Sequence, residues 1–346
     1  MVTLDDIAQE LGISKSTVSK ALNGAKDVSK KTQQAVIEKA VKLGYLRNIS
    51  GNDLPRIAVF ILNMEYEKPE SFGYDIILGF RKAAEPAGYQ VEIIDLDREI
   101  QQNNRYDEYM MRENYCGALF LGMTLLDPWI KEFETCQTPT VLYDNHVRCN
   151  PNVTTIGVDN VEGIEMAVKY LRRLGHEKIG YLSSSLEAYV YRQRYQSFIQ
   201  VMTAMGLTAD DSVMGNSYHV NECISQHLPR LLENGCTAII CSHDMLASGL
   251  LYHCSELGVK VPQDLSIVGY DNIPLCQYTT PPLTTIHQNR PSLGKSAYHA
   301  LSSHFADVPM SIHLLHAELV ERSSCGPVSA KQKPAPNPAD SKPNIS

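Results

Sequence analysis

The sequence lacks the features of membrane-spanning and secreted proteins. Its apolar runs are short, and a run such as 117–123 is far below the roughly 20 residues that a membrane helix needs. Residues 1–6 carry neither the basic nor the apolar stretch of a secretion signal. With 43% hydrophobic and 20% charged residues over 346 positions, the composition is that of a globular protein with two or three folding units. We therefore predict a cytoplasmic location and no membrane partner.

Cysteine pairs at metal-binding or redox spacing are also missing. The chain has nine cysteines, an odd number, and none of them forms a Cys-x-x-Cys pair. This argues against a disulfide framework and against a zinc ribbon. His313 and His316 have the spacing of a metal-binding pair on a helix, but the sequence adds no further ligands at zinc-site spacing. We expect no metal and no cofactor.

Motifs of common enzyme classes are absent. The sequence contains no Gly-x-Ser-x-Gly, no Gly-x-Gly-x-x-Gly and no His-Glu-x-x-His. Gly294-Lys-Ser is similar to the end of a phosphate-binding loop, but Asn289 stands where that loop needs its first glycine. We therefore predict that the protein has no catalytic residues and is not an enzyme.

The charge is unevenly distributed along the chain. The whole protein has a formal net charge of -8, which is unusual for a nucleic-acid binder. Residues 1–48, however, contain eight Lys or Arg and five Asp or Glu, so this segment carries +3 and the remainder -11. A small basic segment at the N-terminus of an acidic protein is the first indication of function.

Three short helices are predicted within residues 1–45. Thr3, Ser14 and Ser29 are residue types that cap helix N-termini with a side-chain oxygen. Gly12 and Gly44 follow apolar periodic stretches and are typical of helix ends. The sequence therefore predicts a minimal all-α domain.

The outward face of the second predicted helix is polar and basic. Lys15 and Lys20 could donate to guanine edges or phosphates, and Ser16, Thr17 and Ser19 are short hydrogen-bonding side chains. Joined to the first helix by a tight turn, this helix suits a helix-turn-helix whose second helix enters the major groove. A small helical bundle with a solvated face fits the same spacing, so the pattern alone leaves both interpretations open.

From residue 56 the pattern changes to β-branched runs that alternate with amphipathic windows, which is typical of parallel α/β sheets. The alternation breaks near 155–159, which indicates two similar lobes. Strands are predicted at 57–62, 91–95, 117–121, 140–143, 155–158, 179–183, 238–242 and 265–270, and helices at 74–87, 163–174, 190–205, 222–233 and 245–257. The segment from 326 to 346, rich in Pro, Lys, Asn and Ala, is predicted to be a disordered tail.

Ordered blocks along the chain resemble one known family. They include VTLDDIAQELGISKSTVSKALNG at 2–24, TPTVLYD at 138–144, LGHEKIGY at 174–181, VPQDLSIVGYD at 261–271 and PPLTTI at 281–286. Together they are similar to the LacI/GalR family of bacterial transcription regulators, over the chain up to about residue 324. The resemblance implies a helix-turn-helix head and an α/β two-lobe core like periplasmic sugar-binding proteins, with parallel sheets flanked by helices. It also implies a homodimer that reads two half-sites of double-stranded operator DNA.

The resemblance suggests how the chain is divided. The expected parts are the head at 1–46, a short linker at 47–55, an N-terminal lobe at 56–156 and 287–313, a C-terminal lobe at 157–286 and 314–325, and the tail at 326–346. The family usually has an Asn-Ala-x-Ala-Arg-x-Leu stretch in the linker, which wedges a leucine into the minor groove. Here the linker is shorter and contains Gly51 and Pro55. Ile49 or Leu54 could serve as the wedge, but a flexible linker without intercalation is favoured.

The resemblance also implies DNA-contacting residues. Lys15 and Ser16 match the base-reading positions at the start of the recognition helix. Lys20 replaces the arginine of most relatives, which keeps the charge but loses the bidentate geometry. The complete set of expected DNA contacts is Thr3, Lys15, Ser16, Thr17, Ser19, Lys20, Asn23, Ser29 and Tyr45.

The effector contacts implied by the resemblance are less regular. Arg192 is expected to clamp the effector and Asp271 to bind its hydroxyl groups, since a guanidinium and a carboxylate suit a polyol. His243 and Asp244 replace the usual Asn-Asp pair, and Asn145 stands where many relatives have an arginine. The complete set of expected effector contacts is Phe72, Asp144, Arg192, His243, Asp244 and Asp271.

These observations predict a DNA-binding transcription regulator, a repressor, controlled by a small-molecule effector that binds between the two lobes. A sugar is the favoured effector class, although purine-type ligands also occur in the family. The alternative is a sugar-binding sensor whose head has weak or lost operator specificity, which the abbreviated linker makes conceivable.

Overall fold

The computed structural model describes residues 2–45 and 54–328. The linker prediction for 47–53, with Ile49, and the tail prediction for 329–346 lie outside these residues. Leu54, the other candidate wedge, is 56% exposed. None of the helices in the described part of the chain combines the length and the apolar character needed to cross a bilayer.

The N-terminal helices are α1 (Leu4–Leu11), α2 (Lys15–Leu22) and α3 (Lys30–Leu43). Each predicted capping residue holds its helix: Thr3 accepts from the Asp6 amide, Ser14 from Thr17 and Ser29 from Thr32. Gly12 and Gly44 end α1 and α3 in the left-handed conformation, as expected for C-terminal glycines. The helices enclose a small core listed by its buried members: Ile7, Ala8, Val18, Ala21, Leu22, Val36, Ile37, Ala40 and Tyr45.

The rest of the described chain alternates strands and helices. The further helices are α4 (Phe72–Ala84), α5 (Arg98–Asn103), α6 (Tyr106–Arg112), α7 (Asn160–Arg173), α8 (Tyr189–Ala204), α9 (Val220–Glu233), α10 (Asp244–Glu256) and α11 (Arg290–Phe305). The strands are β1 (Arg56–Ile61), β2 (Gln90–Asp95), β3 (Tyr115–Leu121), β4 (Thr140–Tyr143), β5 (Val153–Val158), β6 (Ile179–Ser183), β7 (Met214–Asn216), β8 (Ala238–Cys241), β9 (Ser266–Asp271), β10 (Thr284–His287), β11 (Ile312–Leu315) and β12 (Glu318–Val320).

Two compact units divide the chain. Of the described residues, the first comprises those up to Val158, Glu187–Val190 and Asn289–Leu315, and the second comprises Asp159–Leu186, Tyr191–Gln288 and those from His316 onward. The chain therefore passes from one unit to the other more than once. Residues 326–328, which the sequence assigns to the tail, bond to the second unit: the Val328 amide donates to the Leu174 carbonyl, and the Gly326 amide donates to Ser266 Oγ.

The first unit contains a parallel sheet in the order β11-β5-β4-β3-β1-β2. Its strands are nearly continuous apolar runs because helices cover parallel sheets on both faces. An aromatic cluster fills one side, where Phe120 stacks on Phe60 at 4.7 Å and Trp129 meets Phe60 edge-on at 5.8 Å.

Helices α4 and α11 pack closely in the first unit. A Cβ on Gly79 would collide with the Pro291 carbonyl, and a Cβ on Gly294 would collide with the Ile76 carbonyl. Because neither glycine has a side chain, the backbones of α4 and α11 can come into contact. Gly294, which the sequence places in a partial phosphate-loop motif, therefore has a packing role inside α11.

The second unit contains a sheet in the order β12-β10-β9-β8-β6-β7, parallel except for the antiparallel edge strand β12. Strands β6, β8 and β9 are buried along most of their length. Their carboxyl ends lie at one edge of the sheet, which is where ligands bind in open α/β sheets.

Several elements differ from the sequence prediction. The prediction missed α5, α6, α11 and the short strands β7, β10, β11 and β12. His313 lies in β11 and His316 just after it, so a helical metal-pair geometry does not apply. Strand β11 alternates exposed and half-buried residues over four positions, too short a stretch for periodicity to distinguish from a loop.

Candidate functional site: a helical head surface and two sheet edges

The outward face of α2 is exposed and carries two lysines. Lys15 Nζ lies 2.7 Å from Asp5 Oδ2, and Lys20 Nζ lies 2.5 Å from Asp27 Oδ2. All four side chains are more than half exposed, so these ion pairs are weak and readily exchanged. Both lysines are therefore available to DNA phosphates or base edges.

The small polar residues expected to contact DNA cluster at helix ends. Thr3 and Ser29 are N-caps, while Ser16 and Thr17 both share hydrogen bonds with the cap Ser14 at 2.9 and 2.8 Å. Helix N-termini expose unpaired amides that attract anions. This placement suits contacts to phosphates. Ser19 is half-buried on α2, and the exposed Asn23 is its C-cap.

Tyr45 differs from the other expected DNA contacts. Its side chain is only 8% exposed and packs in the core of the head. The structure thus gives Tyr45 a packing role, and the sequence could not distinguish this because an apolar ring with a polar tip occurs in both settings.

In the second unit, polar residues meet at the carboxyl edge of the sheet. Ser184 follows β6, His243 follows β8, Asp271 ends β9 and Gln288 follows β10. Asp271 has a φ of 112°, a region that a residue with a side chain rarely adopts. Strained backbone of this kind concentrates at functional sites.

Arg194 is the central cation of this edge. It is 2% exposed, and its Nη1 donates to the Ser242 carbonyl at 2.6 Å and to Asp271 Oδ1 at 3.2 Å. Its guanidinium lies over the Tyr270 ring at 3.7 Å, and Nε donates to Asn160 Oδ1 at 3.0 Å. Nε and Nη1 are thus held by hydrogen bonds and the face of the guanidinium by the Tyr270 ring, so the orientation of the group is fixed.

The expected clamp, Arg192, does not take this position. Arg192 is exposed, and its Nε donates to the Leu186 carbonyl at 3.1 Å. Arg192 and Arg194 both lie on α8, but only Arg194, on the buried face of the helix, reaches Asp271. The clamp role expected of Arg192 stays a prediction, and the geometry favours Arg194 for it. Two arginines two positions apart lie on different faces of a helix, and only packing shows which face is inside.

His243 caps α10 and contacts Ser184. Its Nδ1 accepts from the Leu246 amide at 3.2 Å, and its Nε2 lies 2.6 Å from Ser184 Oγ. Burial, with a smaller contribution from the Arg194 charge, lowers the pKa of His243 to about 3. The imidazole is therefore neutral over the physiological range. The Tyr191 ring lies beside it, with centroids 5.2 Å apart.

Asp244 is fully buried, and both of its carboxylate oxygens have partners within the protein. Its Oδ2 accepts from the Ile273 amide at 2.9 Å and its Oδ1 from Thr285 Oγ1 at 2.6 Å. Burial, together with the nearby Asp271 charge, raises the pKa of Asp244. Asp244 ties the loop after β9 to strand β10. Its expected contact with an effector stays a prediction, and its hydrogen bonds favour a positioning role.

The first unit has a corresponding sheet edge. Phe72, at the start of α4, lies 6.3 Å from the Tyr143 ring, and the Arg290 guanidinium lies 5.4 Å from Phe72. Asp144 follows β4 with a φ of 51°, so this expected effector carboxylate shares the positive φ of Asp271. Asn145 is fully buried and donates to the Met123 carbonyl at 3.3 Å.

Sequence reasoning missed three residues at the carboxyl edge of the sheet in the second unit. Arg194 lies two positions from the predicted clamp, Ser184 follows a correctly predicted strand, and Gln288 donates to Asp271 Oδ1 at 2.7 Å. The rule that ligands bind at the carboxyl ends of parallel strands would have found Ser184. Gln288 had no such signal, because strand β10 before it was not predicted.

Family models match both parts of the chain. Residues 3–48 match bacterial regulatory proteins of the lacI family, and residues 168–325 match a periplasmic binding protein-like domain. The chain is 31% identical over 332 residues to the HTH-type transcriptional repressor CytR of Escherichia coli K12, covering 93% of this chain and 96% of that one. It is 29% identical over 338 residues to the repressor PurR of Mannheimia succiniciproducens, covering 94% and 98%.

Solved structures share the fold. A complex of the transcriptional regulator CelR with cellobiose has a TM-score of 0.67 at 22% identity, covering 94% of this chain and 100% of that one. The lac repressor dimer bound to operator and the anti-inducer ONPF has a TM-score of 0.63 at 23% identity, covering 94% and 99%. These matches confirm the predicted fold class, a helix-turn-helix head with a two-lobe α/β core, and the resemblance found in the sequence.

Proposed function

The chain belongs to the lacI family of bacterial regulatory proteins, and from this premise we propose that it represses transcription by binding a specific operator as a homodimer and responds to a neutral, sugar-like effector. Members of this family are transcriptional repressors, not enzymes, with a DNA-binding head and a ligand-binding core. The effector class, the residues that contact it and the operator are the parts that go beyond family membership.

The observation that carries the effector proposal is the buried pair of Arg194 and Asp271 at the carboxyl edge of the second sheet. The two side chains face each other at 3.2 Å, with the arginine 2% exposed. A guanidinium and a carboxylate held together offer both donors and acceptors, a combination that recognises several hydroxyl groups at once. We assign effector binding in this unit to Arg194, Asp271 and Gln288.

Phe72 and Asp144 remain proposed effector contacts in the first unit. An aromatic ring suits the apolar face of a sugar or the plane of a base. The neighbouring Arg290 pairs with Asp75, at 3.5 Å between Nε and Oδ2, and lies over Phe72. This neighbourhood fixes the ring, so Phe72 would present a preformed surface.

DNA binding is assigned to the exposed face of α2 and the adjacent helix ends. Lys15 and Ser16 would read bases, while Lys20 and the helix caps would contact phosphates. In a homodimer, two such helices would read half-sites about one DNA turn apart.

The first experiment selects genomic DNA fragments with the purified full-length protein at moderate salt and sequences them. A shared palindromic site is expected. Cellobiose, ribose, guanine and adenosine are then added one at a time while operator binding is followed by fluorescence anisotropy, and at least one should change the affinity. Only weak, salt-sensitive and sequence-independent binding would contradict the repressor assignment and favour a sensor without operator specificity.

A further inference from the structure

The protonation state of His243 follows from its two hydrogen bonds. Its Nδ1 accepts the Leu246 amide hydrogen, so that nitrogen carries no proton. The imidazole is neutral because burial lowers its pKa. A neutral imidazole with a bare Nδ1 has its single proton on Nε2.

That tautomer fixes the role of Ser184. Nε2 lies 2.6 Å from Ser184 Oγ, so the imidazole donates and the hydroxyl oxygen accepts. The only hydrogen of the hydroxyl then points away from His243 and is available to a different acceptor. The Ser184 backbone is held as well, since its amide donates to Ser242 Oγ at 3.2 Å.

Ser184 lies among the residues assigned to the effector. It follows β6, whose neighbour β8 leads into Ser242 and His243, and Arg194 binds the carbonyl of that same Ser242. Ser184 and His243 are each 9% exposed, so only a small part of either residue can reach a bound molecule. The edge thus combines a rigid guanidinium with one oriented hydroxyl.

We propose that Ser184 is a specificity-determining residue that donates a hydrogen bond to an acceptor atom of the effector, and that His243 is the positioning residue that orients this hydroxyl. This inference rests on the proposed function and deepens it. The favoured ligand is a neutral molecule that presents a hydroxyl oxygen, a carbonyl oxygen or a ring nitrogen to Ser184. Sugars, nucleosides and nucleobases share this chemistry.

The test measures binding of cellobiose, ribose, guanine and adenosine to the full-length protein by isothermal titration calorimetry. Ser184→Ala removes the donor and should weaken binding of the recognised compound about threefold to tenfold, as expected for one hydrogen bond between neutral groups. Ser248→Ala is the matched control, because the Ser248 hydroxyl is buried on α10 with no hydrogen bond among the described residues. This control should bind like the wild type.

Two substitutions at His243 separate positioning from helix capping. Threonine is a good N-cap but has no N–H donor, whereas glutamine is a poor N-cap but is long enough to place an amide N–H at the position of Nε2. His243→Gln should therefore stay within about twofold of the wild type in effector binding, and His243→Thr should lose about as much as Ser184→Ala. The double variant Ser184→Ala/His243→Thr should be no weaker than either single variant, because both remove the same bond.

The outcomes distinguish this inference from the proposed function. If the wild type binds a compound and Ser184→Ala binds it equally well, the role of Ser184 is overturned while the effector assignment stands. Equal losses in His243→Gln and His243→Thr would overturn the positioning role. If none of the four compounds binds the wild type, the proposed effector class fails and this inference fails with it.

Discussion

Charged side chains have opposite environments in the head and in the second unit. Lys15 and Asp5 of the head are 59% and 65% exposed, whereas Arg194 and Asp271 are 2% and 16% exposed. An exposed pair contributes little to stability and can be exchanged for another partner. A buried pair is held in one geometry, and loss of one partner leaves an uncompensated charge. The exposed lysine of the head can therefore exchange its carboxylate partner for a phosphate, whereas the buried pair at the sheet edge keeps one geometry.

The largest effect is expected from Arg194→Met. It would leave Asp271 without its positively charged partner and remove a donor to the Ser242 carbonyl, so the free energy of unfolding should fall by about 3–5 kcal/mol. The effector response should also be lost. Urea unfolding followed by circular dichroism measures the free energy of unfolding. Operator binding with and without effector measures the effector response. Arg192→Met is the matched control and should change stability by less than about 0.5 kcal/mol. If Arg192→Met lost as much stability and effector response as Arg194→Met, our assignment of the clamp to Arg194 would be contradicted.

Destabilising the core of the head should affect operator binding without affecting effector binding. Ile7 is fully buried in a core of few residues, and Ile7→Ala should cost about 2–5 kcal/mol. Because so small a domain is marginally stable, we expect the head to unfold and operator binding to be lost. Effector binding, measured by calorimetry, should be retained. Simultaneous loss of both activities would show that the head and the core do not fold independently.

The buried imidazole predicts a stability that depends on pH. His243 has an ordinary pKa of 6.5 when unfolded and about 3 when folded. Between these values the unfolded chain binds a proton that the folded chain does not, so the free energy of unfolding falls as the pH is lowered. The slope from this group is at most about 1.4 kcal/mol per pH unit. Urea unfolding at several pH values should show a shallower slope for His243→Asn, and parallel curves for the two proteins would argue against the neutral buried imidazole.

Only small stability effects are expected at the exposed lysines of α2. Lys15→Met and Lys20→Met should each change the free energy of unfolding by less than about 1 kcal/mol, since their ion pairs are exposed. Their effects on DNA binding should differ. Lys15→Met should alter the preferred bases, whereas Lys20→Met should weaken all sequences and reduce the salt dependence by about one unit of slope. A uniform loss for Lys15→Met would reassign Lys15 to a phosphate.

The head was largely predictable from the sequence because its signals are local. The caps Thr3, Ser14 and Ser29 and the closing Gly12 act on helices within a few residues of themselves. The strands β4 and β6 were predicted with their observed bounds because turn residues flank short apolar runs. Helix α11 was missed because its signal is weak: its N-cap Asn289 and Gly294 instead suggested a partial phosphate loop.

The effector edge was predicted only in part, since it is assembled from distant segments. Asp271 and His243 could be proposed from the sequence because each sits in a motif of its own, and the structure places both at this edge. The sequence suggested Arg192 and not Arg194, because which arginine is buried depends on how α8 packs against Asn160 and Ser242. Asp244 was taken for a ligand contact because a sequence does not show that Thr285 and Ile273 satisfy its oxygens.

By itself, the sequence determined the family, the basic head, the alternation of strands and helices and the residue types available for recognition. These depend on capping, periodicity and motifs that act over short stretches of chain. Only the tertiary structure decided which arginine meets Asp271, which carboxylate is buried and which nitrogen of His243 carries the proton. Each of these depends on burial and on hydrogen-bond partners from other strands, and a linear pattern does not encode which distant residues will share one edge of a sheet.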